Sequence, residues 1–172
     1  MKKKDARIIA KHYMSQIDTT SHAVKSRIIV SKLMEHEKFK QAKVIGIYYP
    51  IKQEVNIKSL DLSDKVVCFP KINSDNELDF IVVNDKTKWE INKFGIKEPK
   101  SGKILNNKID LLVIPALGTN GNNYRLGYGK GYYDKFLSKY HPLYTIGLVL
   151  DNFKLDFIVD RWDIKLNEFI SN

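Results

Sequence analysis

Residues 123–134 read Asn-Tyr-Arg-Leu-Gly-Tyr-Gly-Lys-Gly-Tyr-Tyr-Asp, and no other stretch of the chain gathers so much chemical potential. Gly127, Gly129 and Gly131 alternate, so one face of the segment carries no side chain and its amides can touch a ligand directly. Glycine also reaches positive φ without steric cost, which lets successive N–H groups turn inward around an anion. Arg125 suits two-point recognition of a phosphate, and Lys130 adds a mobile point charge. Together these groups would grip a polyphosphate and compensate charge that develops on it. Spacing excludes two better-known phosphate loops. A Walker A loop places Ser or Thr after its lysine, whereas Lys130 precedes Gly131; a dinucleotide fingerprint needs glycine where Tyr132 or Asp134 stands.

Such a loop works only if rigid elements hold it. Ile109–Leu117 is a short apolar run of the kind buried in a parallel sheet. Tyr132–Tyr140 reads as a helix whose N-terminus aims unpaired amides at whatever the loop holds. Further strands are expected at Lys43–Tyr49, at Lys65–Phe69 (stopped by Pro70), at Glu77–Val83, at Tyr144–Leu150 and in the tail 159–170. Helices are expected over 3–17 and 21–39, the second capped by Thr20 or Ser21 and packed through Val24, Ile28 and Leu33 or Met34. A short helix fits 57–62. Residues 84–108 read as a long surface loop in which Trp89, Phe94 and Ile96 either anchor the loop or touch a ligand. Strands interleaved with helices make an α/β fold: a single layered domain over residues 1–172, with a mostly parallel central sheet flanked by helices.

A hydrophobic fraction of 43% excludes a disordered chain. No run approaches the ~20 apolar residues of a membrane span, and the basic N-terminus lacks a signal peptide's apolar block. The lone Cys68 sits between Val67 and Phe69, as a small buried hydrophobe would; with no disulfide partner it suits a reducing, cytoplasmic setting. Net charge is +9, and residues 1–43 hold eleven Lys and Arg against four acids, a surplus that attracts polyanions. The cations are not interleaved with aromatics, so a nucleic-acid stacking platform is not expected. His12, His22, His36 and His141 lie too far apart for metal-ligand spacing.

Arg125-Leu-Gly-Tyr-Gly-Lys-Gly-Tyr-Tyr-Asp134 resembles the signature of the 5-formyltetrahydrofolate cyclo-ligase family. The likeness runs nearly full length, through Lys3-x-x-x-Arg7, Tyr49-Pro-Ile-Lys-Gln-Glu-Val55, Phe69-Pro-Lys71, Phe94-Gly-Ile-Lys-Glu-Pro99, Ile114-Pro115 and Gly147-Leu148 with Asp151. It implies ATP-dependent closure of 5-formyltetrahydrofolate, with or without a polyglutamate tail, to 5,10-methenyltetrahydrofolate, with ATP and Mg²⁺ as cofactors. A monomer is expected.

By the same resemblance Arg125 and Lys130 are catalytic, and Lys3, Arg7, Leu126, Gly127, Tyr128, Gly129, Gly131, Tyr132 and Tyr133 join them around the nucleotide. Glu54 contacts the folate, whose pterin offers N–H donors, together with Tyr128, Gly129, Lys130, Gly131 and Tyr132. Asp134 and Asp163 are the implied metal ligands, with Asp160 as the alternative to Asp163. From the residues alone, Lys3 and Arg7 would be surface charge on one helix face, Glu54 a solvated loop acid, and Asp134 a carboxylate stabilised by the helix dipole. A different acyl or formyl substrate on the same scaffold, or a silent folate binder, are the rival readings.

Overall fold

In the computed structural model, which describes all 172 residues, the chain opens with helix α1 (Lys3–Ser15), which buries Ala6, Ala10 and Met14 at four-residue intervals. Helix α2 (Thr19–Glu35) is capped by Asp18, whose carboxylate accepts from the Ser21 amide at 2.9 Å, so the cap lies ahead of the expected Thr20 or Ser21. Its buried face is Ser26, Ile29, Val30 and Leu33; Val24 and Ile28 stay 42% exposed, which corrects the expected stripe. At His36 the helix breaks, and the His36 ring accepts from the Lys38 amide to start α3 (Glu37–Gln41).

Strands β1 (Val44–Gly46), β2 (Val66–Ile72) and β3 (Leu78–Val83) follow. The expected helix at 57–62 is only a turn, closed by Leu60 N–H to the Ile57 carbonyl at 3.1 Å. Contrary to expectation, β2 runs through Pro70, which lies opposite Phe80. Its neighbour β1 pairs no further than Cys68, so Pro70 faces an open edge where a missing N–H costs no ladder bond.

The expected loop 84–108 contains a hairpin, β4 (Trp89–Ile91) and β5 (Lys97–Pro99), turned at Gly95 with φ of 75°. Trp89 packs edge-on against Phe69 with centroids 5.0 Å apart, so it is an anchor. Buried Glu98 secures the other strand by accepting from the Ile72 amide at 3.0 Å and from Lys71 Nζ at 3.3 Å.

Strand β6 (Leu111–Pro115) is buried throughout and leads into the small ribbon β7 (Gly118–Thr119) and β8 (Arg125–Leu126). Helix α4 (Tyr132–Lys139), β9 (Tyr144–Leu148), a 3-10 turn at Leu150–Asn152 and β10 (Glu168–Ile170) complete the chain. The six-stranded sheet has the order β10-β9-β6-β1-β2-β3 and is parallel except between β2 and β3.

Alternation along β6 divides the core. Leu111 and Val113 pack with Ala6, Ala10, Ile29 and Leu33 beneath α1 and α2, whereas Leu112 and Ile114 pack with Phe136 and Leu137 of α4. Asp151, at φ 54°, accepts from Tyr13 Oη (2.8 Å), Lys25 Nζ (2.6 Å) and Asn172 Nδ2 (2.9 Å), tying both N-terminal helices to the last residue. The result is the layered α/β architecture that the strand and helix order implied.

Candidate functional site

A cavity of about 400 Å³ opens where Tyr48, Ile72 and Pro115 lie at or just beyond the C-terminal ends of β1, β2 and β6, the place a parallel sheet offers a ligand. The glycine segment forms one wall. Its distinguishing property is what its backbone leaves undone: none of the amides from Gly127 to Asp134 donates to an acceptor in the protein. Those of residues 132–134 are the unpaired first turn of α4; the others belong to the loop leading into it, capped by Gly131 at a left-handed φ of 70°. Such a run of donors at a helix start is suited to receive an anion.

Side chains brace the loop from behind. Arg7 Nε donates to the Gly127 carbonyl at 2.8 Å, and its guanidinium packs where a Cβ on Gly129 would stand, 3.1 Å away. Gly129 also has φ of 100°, a left-handed conformation that favours glycine. Arg125 Nη1 donates to the Pro115 carbonyl at 2.9 Å, and its guanidinium lies 5.0 Å from the centroid of the Tyr133 ring. A methyl group on Gly127 would come within 2.6 Å of that guanidinium. Lys130 is exposed, with its ammonium 5.5 Å from the Phe94 centroid.

Glu54 faces this cationic wall and is 7% exposed. Its segment is fixed by the Tyr48 hydroxyl donating to the Val55 carbonyl at 2.8 Å, by the Asn56 amide donating to Ser26 Oγ at 3.0 Å, and by the His22 ring 2.9 Å from the Glu54 carbonyl. Burial pushes the Glu54 carboxyl up to about 7, against the opposing pull of the Ile51 amide (3.0 Å to Oε2) and of Arg125. Burial, and then the Glu54 charge, likewise raises the phenols of Tyr128 and Tyr133. Tyr128 Oη is the one buried side-chain polar atom without a hydrogen-bond partner.

Of the residues expected at the site, Glu54, Arg125, Tyr128, Gly129, Lys130, Gly131, Tyr132 and Tyr133 line the cavity. Arg7 and Gly127 stand just behind. The side chain of Leu126 is wholly buried in the core, and its carbonyl accepts from the Leu117 amide. Lys3 does not join Arg7 at the loop, because its ammonium is paired with Asp163 and lies 3.8 Å from Asp160. Asp163 holds Lys3 and accepts from the Asp160 amide. Asp134 accepts from the Ile164 amide through Oδ1 (3.0 Å), leaving Oδ2 available.

No cluster of three His, Cys, Asp or Glu side chains exists that could hold a resident metal. The donors present fit a magnesium ion that arrives on a polyphosphate and needs a single carboxylate from the protein. Sequence reading missed Lys11, whose ammonium is 5.8 Å from the Tyr128 ring centroid, although its place four residues after Arg7 signals the same helix face. It also missed Glu98, which sits inside the quoted Phe94–Pro99 stretch and lines the cavity.

An α/β protein with a glycine-rich anion loop opposing a buried carboxylate is the class these features define. A model of the 5-formyltetrahydrofolate cyclo-ligase family matches residues 2–172. The 5-formyltetrahydrofolate cyclo-ligase of Mycoplasma pneumoniae is 37% identical over 138 residues, covering 76% of this chain and 73% of that protein. The Mus musculus enzyme of the same name is 24% identical over 188 residues, covering 98% and 92%. The NMR structure of the Aquifex aeolicus 5,10-methenyltetrahydrofolate synthetase superposes with a TM-score of 0.86 at 28% identity, over 99% of this chain and 89% of that one. A solved Mycoplasma pneumoniae 5,10-methenyltetrahydrofolate synthetase gives a TM-score of 0.81 at 28% identity, over 99% of both chains. The chain belongs to the 5-formyltetrahydrofolate cyclo-ligase family.

Two substitutions separate the roles in this wall. Gly127→Ala should displace the Arg125 guanidinium and weaken the binding of a polyphosphate anion by about tenfold or more, roughly 1.4 kcal/mol; unchanged anion binding would show that Arg125 acts elsewhere. Tyr128→Phe removes an unpaired buried hydroxyl, so the Tm of the free protein should hold or rise. A fall of several degrees would mean that the hydroxyl has a partner.

Proposed function

We propose that this chain is an ATP- and Mg²⁺-dependent 5-formyltetrahydrofolate cyclo-ligase, which closes its substrate to 5,10-methenyltetrahydrofolate and releases ADP and phosphate. The observation that carries this reading is the run of unbonded amides from Gly127 to Asp134, of which residues 128–133 line one cavity with buried Glu54. One wall accepts anions and the other accepts N–H donors, which suits a nucleotide beside a pterin.

The need for ATP is chemical. The N5-formyl group is an amide, so resonance makes its carbon a poor electrophile and its oxygen a poor leaving group. Transfer of the γ-phosphoryl group to the formyl oxygen forms an O–P bond, breaks the bond to ADP and leaves an iminium-like carbon. N10 attacks that carbon and loses its proton; the C–O bond then breaks and phosphate departs, closing the ring.

This chemistry asks mainly for positioning and charge compensation. The loop amides, Arg125 and Lys130 hold the phosphates, while Arg7 keeps the loop in place through the Gly127 carbonyl. Asp134 Oδ2 is the protein oxygen that would meet Mg²⁺, which would neutralise phosphate charge. Glu54, as a carboxylate, accepts from the pterin, and Tyr128 and Tyr133 wall the ring. A small-molecule folate is its partner, and no helix is long and apolar enough to cross a membrane. The buried free thiol of Cys68 suits a cytoplasmic setting.

Purified protein should convert 5-formyltetrahydrofolate to the methenyl chromophore only when ATP and Mg²⁺ are both present; unchanged substrate would refute the reading. Because the carboxylate is the accepting form of Glu54, KM for the folate should fall as pH rises through about 7. The same raised pKa works the other way on the free fold. Its stabilising share is complete below about 4.5, where the unfolded carboxyl protonates, and is lost as pH climbs to about 7, on the order of 3 kcal/mol in all. Glu54→Gln should raise the folate KM and flatten both profiles. A variant that keeps the wild-type pH dependence of KM would place the titrating group elsewhere.

A further inference from the structure

The roof of the cavity is the tip of the β4–β5 hairpin, residues Asn92–Ile96, and its outer end is hydrogen-bonded to the rest of the protein through a single side chain. Asn76, in the β2–β3 turn, accepts from Lys93 Nζ at 2.6 Å and from the Tyr132 hydroxyl at 3.0 Å through the same oxygen. Phe94, between these contacts, meets the Tyr132 ring at 6.0 Å in an edge-on arrangement and carries the Lys130 ammonium at 5.5 Å. One amide oxygen therefore joins the hairpin to the first residue of α4, where the anion loop ends. The base of the hairpin is secured separately, by Trp89 on Phe69 and by Glu98 on Ile72.

We propose that Asn76 is a positioning residue: by holding Lys93 and Tyr132 together it sets Phe94 over the cavity and couples the folate-side roof to the nucleotide loop. This rests on the function proposed above. Asn76, Lys93 and Phe94 are all exposed, and two solvent-facing hydrogen bonds with one aromatic contact make a reversible closure, able to open for substrate and product. The turn does not need the Asn76 side chain for its own shape. Asn73 Oδ1 accepts from the Asp75 and Glu77 amides (2.9 and 3.1 Å), and Lys139 Nζ bonds Glu77 at 2.6 Å. Asn76 sits at φ of 60°, so glycine can replace it without backbone strain.

Asn76→Gly therefore removes the clasp and keeps the turn. In the unliganded variant, trypsin should cut after Lys93 at least about fivefold faster than in the wild type, reflecting a more populated open hairpin. The same variant should lose about five- to tenfold in kcat/KM for 5-formyltetrahydrofolate, mostly through KM, with KM for ATP within about twofold. Asn76→Asp, which keeps an acceptor and tolerates the left-handed backbone, should restore both. Unchanged cleavage after Lys93 would show that Asn76 does not hold the hairpin. Faster cleavage with wild-type folate kinetics would show that the hairpin does not position the substrate. Wild-type protein inert toward 5-formyltetrahydrofolate would instead strike the proposed function, and the cleavage comparison would still decide the clasp.

Discussion

Unpaired backbone donors are what the rest of this molecule is arranged around. A folded chain leaves few amides without a partner, because each costs about as much as a lost hydrogen bond once water is withdrawn. Here a continuous run from Gly127 to Asp134 goes without one, at the mouth of a cavity and the start of a helix. The surrounding structure keeps that arrangement from relaxing. Arg7 holds the Gly127 carbonyl, Arg125 is fixed to Pro115 and Tyr133, and buried Leu126 pins the entrance of the loop to the core. Phe136 and Leu137 do the same for the helix that follows.

Charge is sorted across the cavity with equal consequence. The acid at Glu54 is buried and near the middle of its titration at neutral pH, because burial outweighs the Ile51 amide and Arg125. The cations facing it remain on the rim. Lys130 is exposed, and Lys3 is already neutralised by Asp163, a step away from the loop. A buried acid with a raised pKa and a wall of cations give the two sides of the cavity opposite chemical character.

Local patterns carried the central elements. The all-apolar Leu111–Pro115, the aromatic and β-branched run Phe80–Val83 and the glycine spacing at 127–131 were legible because each is a short-range pattern with one physical meaning. Family likeness, not pattern, singled out Glu54: nothing in its neighbours announces that Ser26, His22 and Tyr48 will bury the segment. Three-residue strands such as Trp89–Ile91 are too short to show a period, so that hairpin read as loop. The Lys3–Asp163 pair was hidden for another reason. Its partners stand at opposite ends of the chain, and only the docking of the 157–164 segment against α1 brings them together.

The central claim is that the amides of residues 127–134 receive phosphate oxygens. Residue-resolved amide exchange by NMR, with and without saturating ATP and Mg²⁺, tests it most directly. Marked slowing of exchange on nucleotide addition, concentrated at Tyr128–Tyr133, is the predicted result. Amides that exchange equally fast in free and nucleotide-saturated protein would contradict the account.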